Sequence, residues 1–431
     1  MSFSGQVQAI KDEIITTTQQ LIQLKSVETE ALPHAPFGQG NREALDYVLA
    51  LGKKWGFHTT DVDGYAGYIE FGRGEELVGI LVHLDVVPEG ENWSYPPFGG
   101  EIHDGKIYGR GSSDNKGSAV AALYAFKLVH DSGLPLKRRV RLIFGCDEES
   151  GFECIKHYLS VDEEPTLGFV PDATYPVIYG EKGVIGGRFV RPLPPGTPTL
   201  HFSGGTVRNV VPQFATATYD GKTYEAVGVP AHASRPELGV NAIIKLAKEL
   251  STFVSHPVLD FLTVASDAAG LGIALVDDIS GPLTYNPAII KVDSEQASLE
   301  VNIRYPVTLN GAEIIEQLKK AAQPFGFDFV DVRDSPPYLK QKDSFLVQTL
   351  RQVFTDVTGI EAEPQTIGGG TYARASKNCV AFGALFPGEP HVAHQSDEYV
   401  TIDSLIYNTE IFANAIYRLA SEDEPAGTVR V

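Results

Sequence analysis

Residues 77–83 read LVGILVH, a short and almost wholly apolar run that ends in a histidine. Continuous apolar runs of this length are typical of strands that are buried on both faces of a parallel sheet. The Ala- and Leu-rich stretch 116–130 predicts a helix, and RRVRLIF at 138–144 and residues 166–170 predict two further strands. Strands that alternate with helices in this way favour an α/β fold with a mixed, mainly parallel sheet.

The character of the sequence changes after Gly183, which predicts an inserted α+β domain. A Pro- and Gly-rich break at 191–198 precedes several strand patterns and two amphipathic helices. Polar residues 331–334, followed by Pro336 and Pro337, predict a second break, and α/β patterns resume after it. We therefore expect a first domain formed by 1–182 and 336–431, interrupted by an inserted domain at 183–335.

Composition and charge exclude several classes of function. The chain has 431 residues, of which 55 are acidic and 35 basic, and its net charge of −20 would repel nucleic acids and anionic membranes. Its three cysteines, Cys146, Cys154 and Cys379, are too few for a disulfide framework, and their spacing gives no thiolate zinc site. No signal-peptide pattern opens the sequence, and no apolar run reaches the ~18 residues of a membrane span. We expect a cytoplasmic protein with reduced thiols.

Metal-binding and proton-transferring residue types follow the predicted strands and precede the predicted helix. They are His83, Asp85, Asp114, the run 147–149, Asp172 and His394. Each has a plain structural alternative: Asp114 could cap its helix, the acidic run could be a solvated strand exit, and either histidine could be structural. Their joint occurrence predicts a centre for one or two zinc-like cations, with a neighbouring carboxylate as general base.

Three segments in this order resemble the co-catalytic zinc metallopeptidase family of dipeptidases, aminoacylases and acetylornithine deacetylases. They are HLDVVPEGENWSYPPFGGEIHDGKIYGRGSSDNKG, CDEESG and PDATYPVIYGEKG. The similarity is greatest to PepV-type Xaa-His dipeptidases, and it is densest over 77–183 and 366–400. It implies a zinc-peptidase-type α/β catalytic domain with an inserted α+β lid. The predicted lid is shorter than that of PepV-type enzymes and longer than that of dimeric deacylases.

The resemblance implies a role for each matching residue. The implied metal ligands are His83, Asp114 as the bridge between two ions, Glu149, Asp172 and His394. Asp85 would orient His83, and Glu148 would be the general base. In the lid, His232 would stabilise the oxyanion, while Asn209 and Arg304 would bind the substrate's backbone and carboxylate. Arg304 could instead pair with a surface acid, and Asn209 could only shape a turn. Gly368, Gly369 and Gly370 resemble a loop whose amides line the substrate site.

The implied activity is metal-dependent hydrolysis of dipeptides with a free amino terminus, by water activated at two divalent ions. Zinc is favoured, with manganese and cobalt as alternatives. The alternatives are an N-acyl amino acid deacylase of the same family and a non-catalytic metal- or peptide-binding protein. The expected partner is a small peptide, and a monomer is favoured over a homodimer. Because dimeric relatives supply the lid histidine from the partner subunit, the origin of His232 stays open.

Overall fold

The computed structural model describes residues 2–424 and divides the chain into two compact units. The first is formed by the chain up to Tyr179, by Lys340–Gln365 and by the chain from Thr371 onward, and the second by Gly180–Leu339 and Thr366–Gly370. The insertion is therefore longer at both ends than the expected 183–335, because residues 180–181 pair with residues 338–339. Thr366–Gly370 joins the second unit, where the Lys182 N–H donates to the carbonyl of Ile367.

The first unit combines helices with one large sheet. Within the described residues, its helices are Ser4–Ala9, Lys11–Ile22, Gln39–Lys54, Lys116–Asp131, Glu153–Val161, Phe345–Thr358 and Ile402–Ser421, with a 3-10 turn at Tyr372–Arg374. The strands of its main sheet are His58–Val62, Ala66–Phe71, Leu77–His83, Arg139–Gly145, Leu167–Val170 and Cys379–Ala381. Shorter strands are Glu101–His103, Lys106–Tyr108, Ala173–Thr174, Ala384–Leu385 and Tyr399–Thr401. Strands Ile178–Glu181 and Gln365–Ile367 cross the boundary between the units.

The main sheet has a parallel centre and antiparallel edges. Strand Leu77–His83 lies between Arg139–Gly145 and Leu167–Val170 and is parallel to both. Ala66–Phe71 adds antiparallel to Arg139–Gly145, on its other side. Every residue of Leu77–His83 is buried, as the apolar run predicted. The α/β class with a mixed sheet is thus confirmed, and His83 stands at the carboxyl end of the central strand, opposite Gly145.

Two long helices pack on each other in the first unit. Lys116–Asp131 is buried along nearly its whole length, because its Ala and Gly residues allow close approach to the sheet and to Ile402–Ser421. The first helical stretch of the chain is divided into Ser4–Ala9 and Lys11–Ile22. At the division, Ile10 leaves the helical conformation, and its N–H donates to the carbonyl of Val7, three residues back.

The second unit is an antiparallel sheet with helices on one face. Within the described residues, its strands in spatial order are Lys222–Val227, Phe214–Tyr219, Leu200–Gly204, Thr284–Val292, Gln296–Tyr305, Gly183–Pro192 and Asp328–Ser335. Short strands Val276–Asp277 and Gly281–Pro282 form a separate pair, and Tyr338–Leu339 pairs with the end of Ile178–Glu181. Its helices are Ala242–Leu250, Pro257–Val264 and Gly311–Ala322, with 3-10 turns at Pro236–Leu238 and Gln323–Phe325. Alternate residues such as Phe189 and Phe202 face the helices and form the core.

The polar stretch 331–334 is part of strand Asp328–Ser335 rather than a break, so that prediction was wrong. The strand lies at the edge of the sheet and pairs only with Gly183–Pro192 among the described residues. One edge of such a strand faces water, so the strand can contain many polar residues. Here Phe329 is buried, and the other residues are partly or fully exposed. Each described helix is too short or too polar to cross a lipid bilayer.

His256 gives the second unit a pH-dependent stability. Its buried ring caps helix Pro257–Val264: Nδ1 accepts from the N–H of Val258, and Nε2–H donates to the Pro198 carbonyl. Burial lowers the pKa of His256 below its usual 6.5. Because the folded pKa lies below the unfolded one, the stabilisation is present above pH ~6.5 and is lost as the pH falls through the folded pKa.

We therefore expect His256→Asn, whose amide oxygen can still cap the helix but does not titrate, to lose less stability on acidification than the wild type. A lost cap costs about 1 kcal/mol, or roughly 2–4 °C in a domain of this size. Thermal unfolding of the full chain at pH 7.5 and pH 5 measures the effect as a difference between the two proteins. Parallel loss of stability in both would show that His256 does not contribute.

Candidate metal and catalytic site

The carboxyl ends of the parallel strands bring the predicted metal-binding side chains of the first unit together. His83 ends its strand, Glu148 and Glu149 follow strand Arg139–Gly145, and Asp172 follows Leu167–Val170. Asp114 precedes helix Lys116–Asp131. Open α/β sheets place their binding sites at this edge, because the strand ends and the following loops converge there.

The ring of His83 is oriented by a main-chain contact. Its Nδ1 lies 2.9 Å from the carbonyl oxygen of Asp85, so Nδ1–H donates there and Nε2 keeps its lone pair. Nε2 lies 3.0 Å from Asp114 Oδ1 and 3.7 Å from Asp172 Oδ2. A lone pair that faces two carboxylate oxygens is repulsive unless a proton or a cation lies between them. This geometry therefore fits a cation.

Asp114 faces both histidines, each with a different oxygen. Its Oδ1 is directed at His83, whereas its Oδ2 lies 3.1 Å from His394 Nε2. The same nitrogen of His394 lies 3.0 Å from Glu149 Oε1. A carboxylate whose two oxygens face two separate nitrogen donors is arranged as a bridging ligand would be.

Two overlapping groups of donors could each hold a metal ion among the described residues. One is His83, Asp114 and Glu149, and the other is His83, Glu148 and Asp172, with the ligand atoms of each group within 4.8 Å of one another. Zinc bonds of ~2.0–2.2 Å place two ligands of one ion no more than about 4 Å apart. The contacts of His83 and His394 satisfy this limit. Imidazole and carboxylate donors without thiolate also suit zinc, manganese or cobalt.

Burial and the nearby carboxylates raise the pKa values of both glutamates of the cluster. Burial, reinforced by the charge of Asp172, raises the pKa of Glu148 well above its usual value. Burial and the charge of Asp114 raise the pKa of Glu149 to about 7. Burial opposes protonation of His394, but the carboxylates of Asp114 and Glu149 outweigh it and raise its pKa to about 11. Such a cluster holds protons where divalent cations would otherwise bind.

Asp85 makes contacts that differ from the expected ones. Its Oδ2 accepts from the N–H groups of Glu148 and Glu149, at 2.9 and 3.0 Å. The distance from Asp85 Oδ1 to His83 Nδ1 is 3.4 Å, whereas the main-chain carbonyl oxygen of Asp85 lies 2.9 Å from the same nitrogen. The Asp85 carboxylate therefore fixes the main chain that carries the paired glutamates, while its main chain orients the histidine.

Glu148 and Asp147 differ in how far their carboxylates are already engaged. Asp147 accepts from the N–H groups of Gly151 and Glu153 and from the hydroxyl of Ser150, contacts that hold the loop before helix Glu153–Val161. Glu148 is half-buried within the second donor group. Asp147 is thus structural, and Glu148 has the better placement for proton transfer.

Asn115 is a positioning residue that the sequence did not indicate. Its Nδ2 donates to Asp172 Oδ1 at 3.0 Å and to the carbonyl of Pro171 at 2.8 Å. These bonds leave Asp172 Oδ2 facing His83. An asparagine beside a candidate metal-ligand aspartate has no distinctive spacing, so only the fold reveals this contact.

The predicted substrate-binding residues lie in the second unit. The Nδ1 of exposed His232 accepts from the Ser234 N–H at 3.2 Å, which leaves the hydrogen on Nε2 and makes that nitrogen a donor. Buried Arg304 donates from Nε to Asn302 Oδ1 at 2.9 Å and from one Nη to the carbonyl of Gly368 at 3.0 Å. The main-chain carbonyl of half-buried Asn209 accepts a hydrogen bond from the N–H of Ala233.

Comparison with known proteins identifies the family. The sequence pattern of Peptidase family M20/M25/M40 matches residues 79–418. The chain belongs to this peptidase family. The resemblance to a metallopeptidase family, inferred from the motifs, is thereby confirmed at the level of the family, and the chain is a peptide hydrolase.

Individual relatives match over nearly the whole chain. The Bacillus subtilis (strain 168) protein named "Putative dipeptidase YtjP" is 39% identical, covering 97% of this chain and 100% of that protein. The structure of the di-peptidase Dug1p from Saccharomyces cerevisiae superposes with a TM-score of 0.64 at 13% identity, covering 98% and 100% of the two chains. Bacillus subtilis YXEP, a dinuclear metal-binding M20 peptidase, superposes with a TM-score of 0.56 at 13% identity, covering 96% and 99% of the two chains.

The position of Asp114 between two histidines predicts the effect of removing it. We expect the wild type to bind close to two divalent ions per chain and Asp114→Ala to lose most of both, because each ion would lose its shared ligand. His391→Ala, three residues before His394 but not among the candidate ligands, is the control and should keep both ions. Elemental analysis of dialysed protein measures this. Full occupancy in Asp114→Ala would remove Asp114 from the site.

Proposed function

We propose that the chain hydrolyses dipeptides with a free amino terminus at a centre of two divalent ions, zinc in the first instance. The observation that carries the proposal is the carboxylate of Asp114, whose two oxygens face His83 and His394 separately. Support comes from the relative named as a dipeptidase, which is similar over its full length, and from the fold shared with a dinuclear metal-binding peptidase.

The donors divide naturally between two ions. We assign His83, Asp114 and Asp172 to one ion, and Asp114, Glu149 and His394 to the other. When bound, such ions polarise a carbonyl group and lower the pKa of water from ~15.7 towards ~7. His83 and His394 bring neutral nitrogen donors, so the charge of the ions is balanced mainly by the carboxylates.

Glu148 is the proposed general base. Its main chain is held by Asp85, and its carboxylate belongs to the group around His83 and Asp172. It takes a proton from the attacking water and later delivers it to the leaving amine, so the residue is restored at the end of each cycle. A binding protein without catalysis would have no use for this carboxylate beside Glu149.

The proposed substrate contacts use residues of the second unit. The Nε2–H of His232 would donate to the oxygen that becomes negative as the peptide bond is attacked, a contact worth ~3 kcal/mol in similar sites. Arg304 presents a planar guanidinium that its bonds to Asn302 and Gly368 hold in place, which suits a substrate carboxylate. Asn209 would bind the peptide backbone.

Replacement of the base gives a direct test. Glu148→Gln keeps the size of the side chain but removes the proton acceptor, so kcat should fall by ~100–10,000-fold while metal content stays at the wild-type level. Glu153→Gln alters an exposed glutamate in the same region and should leave kcat unchanged. Dipeptide hydrolysis and elemental analysis are measured on the same samples. Near-normal turnover in Glu148→Gln would exclude it as the base.

Arg304 predicts how the enzyme responds to the substrate's C-terminus. Arg304→Lys keeps the charge but loses the planar pair of donors, so kcat/KM for free dipeptides should fall by ~10-fold or more. Dipeptide amides, which lack the carboxylate, should be poor substrates of both proteins. Arg188→Lys, on the surface pair with Asp331, is the control. Equal hydrolysis of free and amidated dipeptides by the wild type would contradict this role.

A panel of substrates distinguishes a dipeptidase from the two alternatives, a deacylase and a non-catalytic binding protein. Dipeptides, tripeptides and N-acetyl amino acids are assayed on protein reconstituted with zinc, manganese or cobalt. We expect free dipeptides to be the preferred substrates. Activity confined to N-acetyl amino acids would instead identify a deacylase, and full metal occupancy without any hydrolysis would favour a binding protein.

A further inference from the structure

A buried ion pair, Arg110–Glu398, lies behind the metal site in the first unit. Arg110 Nη1 lies 2.6 Å from Glu398 Oε2, and the side chains are 2% and 0% exposed. Both residues are close in sequence to proposed ligands, Arg110 to Asp114 and Glu398 to His394, but neither belongs to a donor group. Replacing a buried ion pair by apolar residues is often neutral or stabilising, so stability alone does not account for it.

Glu398 holds the loop that carries Asp114. Its Oε1 accepts from three main-chain N–H groups, those of Gly111, Ser113 and Asp114, at 3.1, 2.9 and 3.0 Å. One carboxylate oxygen that accepts three amides fixes the path of this short loop. Any displacement of Glu398 would therefore move the main chain of the proposed bridging ligand.

Arg110 extends the same network to two other segments. Nη1 also donates to the carbonyl of Gln395 at 3.2 Å, and Nη2 lies within 3.2–3.3 Å of the carbonyls of Pro88 and Glu89. Gln395 directly follows His394, and Pro88 lies three residues after Asp85. The guanidinium thus connects the segments that follow both proposed histidine ligands.

The conformation of His394 needs such support. Its φ of +64° lies in the left-handed region, which is unfavourable for a residue with a β-carbon. Backbone of this kind persists where the surrounding contacts determine it. The bond from Arg110 to the next carbonyl, Gln395, is one of these contacts.

We propose that the Arg110–Glu398 pair is a positioning element that sets the distance between Asp114 and His394, and so determines whether the second cation binds. The inference rests on the two-ion centre proposed above. Displacing the pair would move two ligands, Asp114 and His394, of the ion that Glu149 also binds. It would move only one ligand, Asp114, of the other ion. Loss of the pair should therefore weaken the ion at His394 more than the ion at His83.

The test is stepwise addition of cobalt(II) to the metal-free full chain, followed by visible absorption and calorimetry. Glu398→Gln keeps the shape of the side chain but removes its charge and places an NH₂ group against Arg110. We expect the second equivalent to bind ~10–100-fold more weakly, the usual cost of losing an outer-shell contact, with an altered absorption band. The first equivalent should change less.

A second pair supplies the control for folding. Buried Arg138 and partly exposed Glu76 form an ion pair at 2.6 Å, at the amino ends of the strands that carry the site at their other ends. Glu76→Gln should lower the melting temperature without changing the ratio of the two cobalt affinities. Arg110→Lys, which keeps the charge but cannot reach all the carbonyls at once, should weaken the second ion with little loss of fold.

The outcomes are distinguishable. Selective loss of the second ion in Glu398→Gln and Arg110→Lys, but not in Glu76→Gln, supports the proposal. Two ions in the wild type with an unchanged affinity ratio in Arg110→Lys and Glu398→Gln would overturn it and leave the two-ion centre intact. A wild type that binds a single cobalt ion would contradict the two-ion centre itself, and this proposal with it.

Discussion

Mutual repulsion among half-buried carboxylates is the constraint around which the candidate site of the first unit is organised. Glu149 and Asp172 follow parallel strands, Asp114 precedes a helix, and the imidazole nitrogens of His83 and His394 lie between these carboxylates. In water such groups would separate, and in the fold they are held together by the strands and loops that carry them. The electrostatic repulsion among the carboxylates is relieved when a cation binds between them. This gain in free energy favours cation binding at the site.

Much of the support for this arrangement comes from main-chain contacts of buried acids. Asp85 accepts from the amides of Glu148 and Glu149, and Glu398 accepts from the loop of Asp114. In both cases a carboxylate outside the candidate metal ligands fixes the main chain of residues whose side chains lie in the site. The site therefore depends on an outer layer of acids as much as on the inner one, and the acidic composition of the chain is partly explained by it.

The sequence predicted those features that have a local pattern. Strand Leu77–His83 was predicted with its observed bounds because a strand buried on both faces contains no polar residue before its end. The candidate donors were predictable because their motifs occur in a fixed order, and the fold brings them together as a donor cluster. Their individual catalytic and binding roles stay predictions.

Other features depended on tertiary contacts that leave no local trace. Strand Asp328–Ser335 was mistaken for a break because an edge strand tolerates consecutive polar residues. The contacts of Asp85 and Asn115 join residues more than fifty positions apart, and their residue types are compatible with many environments. The contacts of Arg110 with residues 88–89 and 395–398 could not be predicted either, since an arginine in a glycine-rich loop is an ordinary surface residue in most proteins.

The discontinuity of the second unit has a practical consequence for dissecting the protein. Its longest continuous segment, Gly180–Leu339, lacks Thr366–Gly370, which supplies the Gly368 carbonyl that holds Arg304 and the Ile367 carbonyl that receives the Lys182 amide. A recombinant fragment that ends at Gly180 and Leu339 would therefore lack both of these acceptors. A fusion of residues 366–370 to the fragment through a flexible linker would restore the missing segment within one chain, and offers a route to the isolated second unit for spectroscopy.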